Sequence, residues 1–75
     1  MTPAALRTLL ARLDYLPSQV AEATGYSADA VRAMLRGHRD VAPRLVTALT
    51  AHEQLLAAGL AQPVERPKRG RRRQS

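Results

Sequence analysis

The 75-residue chain has no cysteine, tryptophan or phenylalanine and only two tyrosines, Tyr15 and Tyr26. Without cysteine there is no disulfide framework and no thiolate metal site. The two histidines, His38 and His52, are too few for an ordinary zinc site, so no metal is expected. No apolar run approaches the ~20 residues needed to span a bilayer. Arg7, Arg12 and Asp14 interrupt the apolar N-terminus, which therefore does not read as a signal peptide. No nucleophile–base pair and no phosphate-cradling glycine loop is present, and Glu22 and Glu53 have no partner pattern for acid–base work. The expectation is a non-enzymatic, soluble, cytoplasmic protein with no cofactor, no membrane association and no small-molecule effector.

What is present is mostly alanine, leucine and arginine. Alanine accounts for 14 of the 34 apolar residues, leaving 20 larger side chains for a core. That is enough for one small domain, and marginal for one that stands alone. Net charge is +6, unevenly placed. Residues 1–59 carry six arginines against five acids, whereas residues 60–75 carry six basic residues against Glu65 alone. The division expected is a nearly neutral folded domain over 1–59 and an Arg-rich tail over 60–75. Dense basic tails commonly contact nucleic acid or another anionic surface; the plain alternative is a solubilising end.

Prolines and glycines punctuate the first part into four helices. Pro3, Pro17 and Pro43 each open an apolar periodic stretch, where a first-turn proline sacrifices no intrahelical bond. Gly37 and Gly59 close such stretches. Thr2 is placed to cap a helix from about Pro3 to Asp14, with Leu6, Leu9, Leu10 and Leu13 on one stripe. A short helix follows over Pro17 to Thr24. A third runs from Ala28 to Arg36, capped by Ser27, with Val31, Met34 and Leu35 inward. The fourth runs from Pro43 to Ala58, its apolar positions being Leu45, Val46, Leu49, Leu55 and Leu56. No segment alternates as a strand does, so the expected fold is all-α: four short helices with a central helix-turn-helix and a basic, flexible C-terminal tail.

The central pair carries the functional signal. Residues 17–36 read PSQVAEATGYSADAVRAMLR. Gly25 stands where a tight turn wants a positive φ. Ala21, four residues earlier, is small enough for two helices to approach, and Val31, six residues later, can fill the angle between them. Two short helices joined by a glycine turn are what a DNA-binding helix-turn-helix needs.

With Ala21, Gly25, Ser27, Val31 and Leu35 in register, the segment resembles the helix-turn-helix of the lambda-repressor and Cro superfamily, and is similar also to the lac-repressor headpiece. The resemblance extends over roughly residues 4–58. It implies that the third helix enters the major groove of double-stranded DNA. It places base-contacting positions on Ala28, Asp29, Arg32 and Ala33, and backbone-contacting positions on Ser18, Gln19, Ser27 and Arg36. Arg32 is then the one long side chain able to make a forked contact to guanine; the two alanines offer only apolar contact. Asp29 either accepts from cytosine, or orients Arg32 three residues on, or caps the third helix at its N-terminus. Arg39 and Arg44 are further backbone candidates. Arg32 and Arg36, four apart, also fit a merely solvated helix face.

In the tail, Arg66, Lys68, Arg69, Arg71, Arg72 and Arg73 are the candidate DNA contacts. Arg69-Gly70-Arg71 resembles the centre of an AT-hook, but Arg72 stands where the hook has proline, so a phosphate- or groove-following arm is the reading adopted. The function expected is a dimeric repressor or autoregulator of a phage or mobile-element operon, bound to an inverted-repeat operator. The helix-4 end, with Leu55 or Leu60, is the expected homodimer contact. The rivals are an antitoxin- or adaptor-type interaction module and an RNA binder; the lack of Phe and Trp for base stacking disfavours the second.

Overall fold

A computed structural model of the chain describes residues 1–67. Lys68, Arg69, Arg71, Arg72 and Arg73 therefore lie outside the described residues. Four helices appear in the expected order: α1 (Pro3–Leu13), α2 (Pro17–Thr24), α3 (Ala28–Arg36) and α4 (Pro43–Ala57). There is no strand among the described residues, and none of these helices is long and apolar enough to cross a membrane.

Local chemistry accounts for the ends. The Thr2 hydroxyl accepts the Ala5 amide at 3.1 Å, and Ser27 does the same for Ala30 at 3.1 Å. Each satisfies one of the amides that a helix start leaves open. α2 lacks a hydroxyl cap because Leu16 occupies that position; instead the Gln19 carbonyl oxygen accepts the Leu16 amide at 2.7 Å. Gly25 closes α2 at φ +82° and Gly37 closes α3 at φ +79°. α1 ends differently from expectation. Asp14 is not its last turn but its left-handed cap, at φ 57°, with the Tyr15 amide donating back to the Leu10 carbonyl at 3.0 Å. Aspartate tolerates this conformation better than most side chains, since its short polar chain bonds locally.

The core is one cluster. Leu6, Val20, Val31, Met34, Leu45 and Leu49 are fully enclosed, with Leu9, Leu10, Tyr15 and Val41 at its margin. α3 packs on α2 and α1, and α2 packs on α4. Val31 and Met34 are the inner side of α3 and tie it to this core. Fully burying one such side chain contributes about 1.5–3 kcal/mol. A domain of this length has only a few kcal/mol of net stability, so α3 cannot detach without the fold. Tyr15 and Val41 were not expected in the core; Leu55, at the end of α4 where the dimer contact is expected, is 44% exposed.

α1 and α4 are joined at the surface by a two-pronged ion pair. Arg12 Nε donates to Glu53 Oε2 and Nη2 to Oε1, both at 2.7 Å. The hydrogen-bonding fork, with Coulombic attraction behind it, holds the Glu53 carboxyl below its usual range and the Arg12 guanidinium above its own.

The boundary at residue 59 needs correction. α4 ends at Ala57, and two residues on Gly59 turns the chain at φ +74°, with the Leu60 amide donating to the Leu55 carbonyl at 2.9 Å. The chain then turns back as a non-helical strap over residues 60–67 and lies against the α1–α2 corner. Val64 packs half-buried on the core. Its amide donates to Tyr15 Oη at 2.9 Å, and its carbonyl accepts from Gln19 Nε2 at 2.8 Å. The folded part therefore includes the first residues assigned to the tail.

Candidate nucleic-acid interface

α3 shows two opposed faces. Val31 and Met34 point into the core, while Asp29, Arg32, Ala33 and Arg36 follow the i, i+3, i+4, i+7 spacing of a single helix face. Asp29 is almost fully exposed, its side chain at 96%, and Arg32 is 46% exposed. Ala33 and Ala28 are half-buried, and Arg36 is exposed. The candidate base-contacting residues thus lie along one outward stripe, with Ala28 beside it, one turn before Arg32.

Arg32 and Asp29 are bonded to each other, Nη1 to Oδ1 at 2.9 Å. One contact of this kind engages a single N–H of a five-donor fork. The remaining donors are available, and the carboxylate restrains the side chain along the outer face. Asp29 also lies in the first turn of α3 and Arg36 in its last, where each complements the helix dipole. The Asp29 charge therefore has a structural role at α3 besides any role at a ligand.

The C-terminal end of α3 is tied from an unexpected direction. Arg7 of α1 donates through Nη1 to the Leu35 carbonyl at 2.5 Å. A cation there satisfies one of the carbonyls a helix end leaves open. Nothing local in the sequence signals this contact across 28 positions. Arg39 in the α3–α4 connection and Arg44 in the first turn of α4 are exposed, with no ion pair among the described residues. Together with Arg36 they supply positive charge beyond the end of α3.

The backbone-contact candidates divide. Ser27 is exposed, but its oxygen caps α3, leaving its hydroxyl proton for an outside acceptor. Ser18 is half-buried in the first turn of α2. It borders a shallow cleft with Glu22, Glu65 and Pro67. Gln19 departs from expectation. It is only 3% exposed, and both ends of its amide are used, one on Leu16 and the other on Val64. Its amide starts α2 and holds the strap. A signal for this was present: a glutamine three residues after the helix-capping position is the spacing of a capping box. Arg66, the one tail candidate among the described residues, pairs with Asp14 at 3.1 Å, both side chains mostly exposed.

Tyr15 was not singled out from the sequence, yet it links three parts of the fold. Its hydroxyl accepts the Val64 amide and lies 2.7 Å from His52 Nε2 on α4. The two rings are 5.7 Å apart, centre to centre. His52 is thereby a packed, hydrogen-bonded residue rather than an open ligand. No cluster of three metal-ligating side chains exists among the described residues. Set against models of known protein families, characterised proteins and solved structures, the chain matches none of them.

Proposed function

We propose that this protein is a sequence-specific, double-stranded DNA-binding regulator of transcription, acting as a dimeric repressor or autoregulator of a phage or mobile-element operon. The observation that carries the reading is α3 itself. It is a nine-residue helix closed at both ends, joined to α2 through Gly25, with core residues on one side and the Asp29–Arg32–Ala33–Arg36 stripe on the other. A helix so held can lie in a major groove, about 12 Å wide, without disturbing the core. Arg32 reads a guanine edge, Ala28 and Ala33 offer apolar contact to thymine methyls, and Arg36, Arg39 and Arg44 follow phosphate.

The dimer rests on Leu55 and Leu60, 44% and 76% exposed and neighbours at the end of α4. Two copies joined there present two α3 helices to an inverted repeat, and a repressor of this size acts by occluding the promoter. The same two leucines, with the near-neutral charge of residues 1–59, also favour a second reading, an antitoxin- or adaptor-type interaction module.

The test is selection from a randomised duplex library by the full chain, followed by a gel shift on the gene's own upstream DNA with competitor RNA. The expected result is an enriched inverted repeat, retained in the presence of RNA. Absence of any enriched sequence would overturn the proposal in favour of the interaction module, and equal competition by RNA would overturn the preference for duplex DNA.

A further inference from the structure

All fully enclosed side chains lie on α1–α4, and the strap over residues 60–67 adds only the half-buried Val64 at the edge of that core. Yet it is held at several points. Tyr15 Oη and Gln19 Nε2 grip the amide and carbonyl of the same residue, Val64, and Arg66 reaches Asp14. These contacts span 45 to 52 positions and bring the chain to the start of α2, so that Pro67 comes to border a cleft with Ser18, Glu22 and Glu65. Five of the six basic residues of the tail follow Pro67 directly.

We infer that Tyr15 and Gln19 form a clamp that fixes where the basic segment leaves the fold, delivering it to the DNA phosphate backbone that α2 crosses. The inference rests on the DNA-binding reading. In a helix-turn-helix the second helix of the pair occupies the groove and the first crosses the backbone. A segment launched from the first turn of α2 therefore starts beside phosphates, whereas one launched from the end of α4 would have to find them. The edge itself is acidic, with Asp14, Glu22 and Glu65 near the exit, and would repel DNA alone. The five cations that follow outnumber these three acids. Tyr15 and Gln19 are positioning residues: they touch the strap, not the DNA.

The size of the effect follows from tether length. With the strap docked, the middle of the basic run is about seven residues from the clamped Val64; released back to Gly59, it is about twelve. Effective concentration falls roughly as the −3/2 power of tether length, so release weakens binding by about twofold per subunit and about fivefold for a dimer.

The test uses Val64→Pro, which removes the donated N–H from a residue outside the four helices. Tyr15→Phe breaks the same bond from the other side. Each is made in the full chain and in a chain ending at Pro67, which keeps every core residue. Nitrogen-15 relaxation of the free proteins reports whether residues 61–67 stay fixed, and fluorescence anisotropy on the selected duplex reports affinity. The expected result is a released strap and about fivefold weaker binding in the full chain, with little change in the shortened one. Equal weakening in both backgrounds would make the strap merely structural and overturn the inference. So would unchanged affinity with a released strap, or a strap that stays fixed in both variants. If the shortened chain binds as well as the full one, the tail takes no part and the inference fails while the α3 reading stands. If the unaltered full chain binds no duplex, both fail together.

Discussion

Arg32→Ala is the most informative single change. The fold should tolerate it. Arg32 is half-exposed, its partner Asp29 is almost fully exposed, and ion pairs of that kind contribute about 0–1 kcal/mol. Alanine is a slightly better helix former than arginine, which offsets part of any loss. The urea midpoint should therefore barely move. Binding should behave differently. A forked arginine–guanine contact supplies about 1–3 kcal/mol of discrimination, and a dimer on an inverted repeat makes two of them. At about 1.4 kcal/mol per tenfold, the preference for the selected site over random duplex should fall by about thirtyfold at least, and by more than ten-thousandfold at the upper end. Affinity for random duplex should change little, because that binding comes from the phosphate contacts of other residues. Fluorescence anisotropy on both duplexes, over a series of salt concentrations, separates the cases. If Arg32→Ala weakens selected and random DNA equally and lowers the salt slope by ~0.9 per subunit, Arg32 is a phosphate contact and the reasoning about α3 is wrong.

Three further outcomes follow from the same structure. Gly25→Ala meets no atom within 4 Å, so its cost is conformational alone. A left-handed alanine costs about 1–2 kcal/mol, partly offset by a less flexible unfolded chain, for a net loss of about 1 kcal/mol in urea unfolding. A change several times larger would mean that the turn also carries tertiary contacts. Leu55→Lys with Leu60→Lys should convert a dimer to a folded monomer in sedimentation at micromolar concentration, since neither leucine belongs to the core; an unchanged mass would place the dimer contact elsewhere. Glu53→Gln should blunt acid destabilisation. The Glu53 carboxyl is held low by Arg12, so its contribution is full above the usual glutamate range and is lost as pH falls through the lowered value. Urea midpoints at pH 7 and pH 3 should therefore differ more for the unaltered chain than for the variant, and high salt should shrink the difference.

The four helices were legible because their boundaries are written within a few residues of each other. Pro3, Pro17 and Pro43 open helices, Thr2 and Ser27 cap them, and Gly25, Gly37 and Gly59 take positive φ to close them. The same locality made the outer stripe of α3 legible, since the inward positions Val31 and Met34 dictate what faces out. Tertiary structure alone decided what depends on residues far apart in the chain. No periodic pattern marks Val64 as a docking residue, because a single valine between prolines and charges acquires meaning only when Tyr15 and Gln19 arrive 49 and 45 positions away. Gln19 has a polar side chain and a place on α2 that suit the surface as well as the interior. Its burial follows from the strap covering it. Leu55 lies on an apolar helix, yet the core offers it no partner, and it stays outside. Local sequence sets where the backbone hydrogen bonds of a helix begin and end, within a turn or so. Which of several chemically similar side chains is enclosed is set by how the helices and the returning strap close on one another.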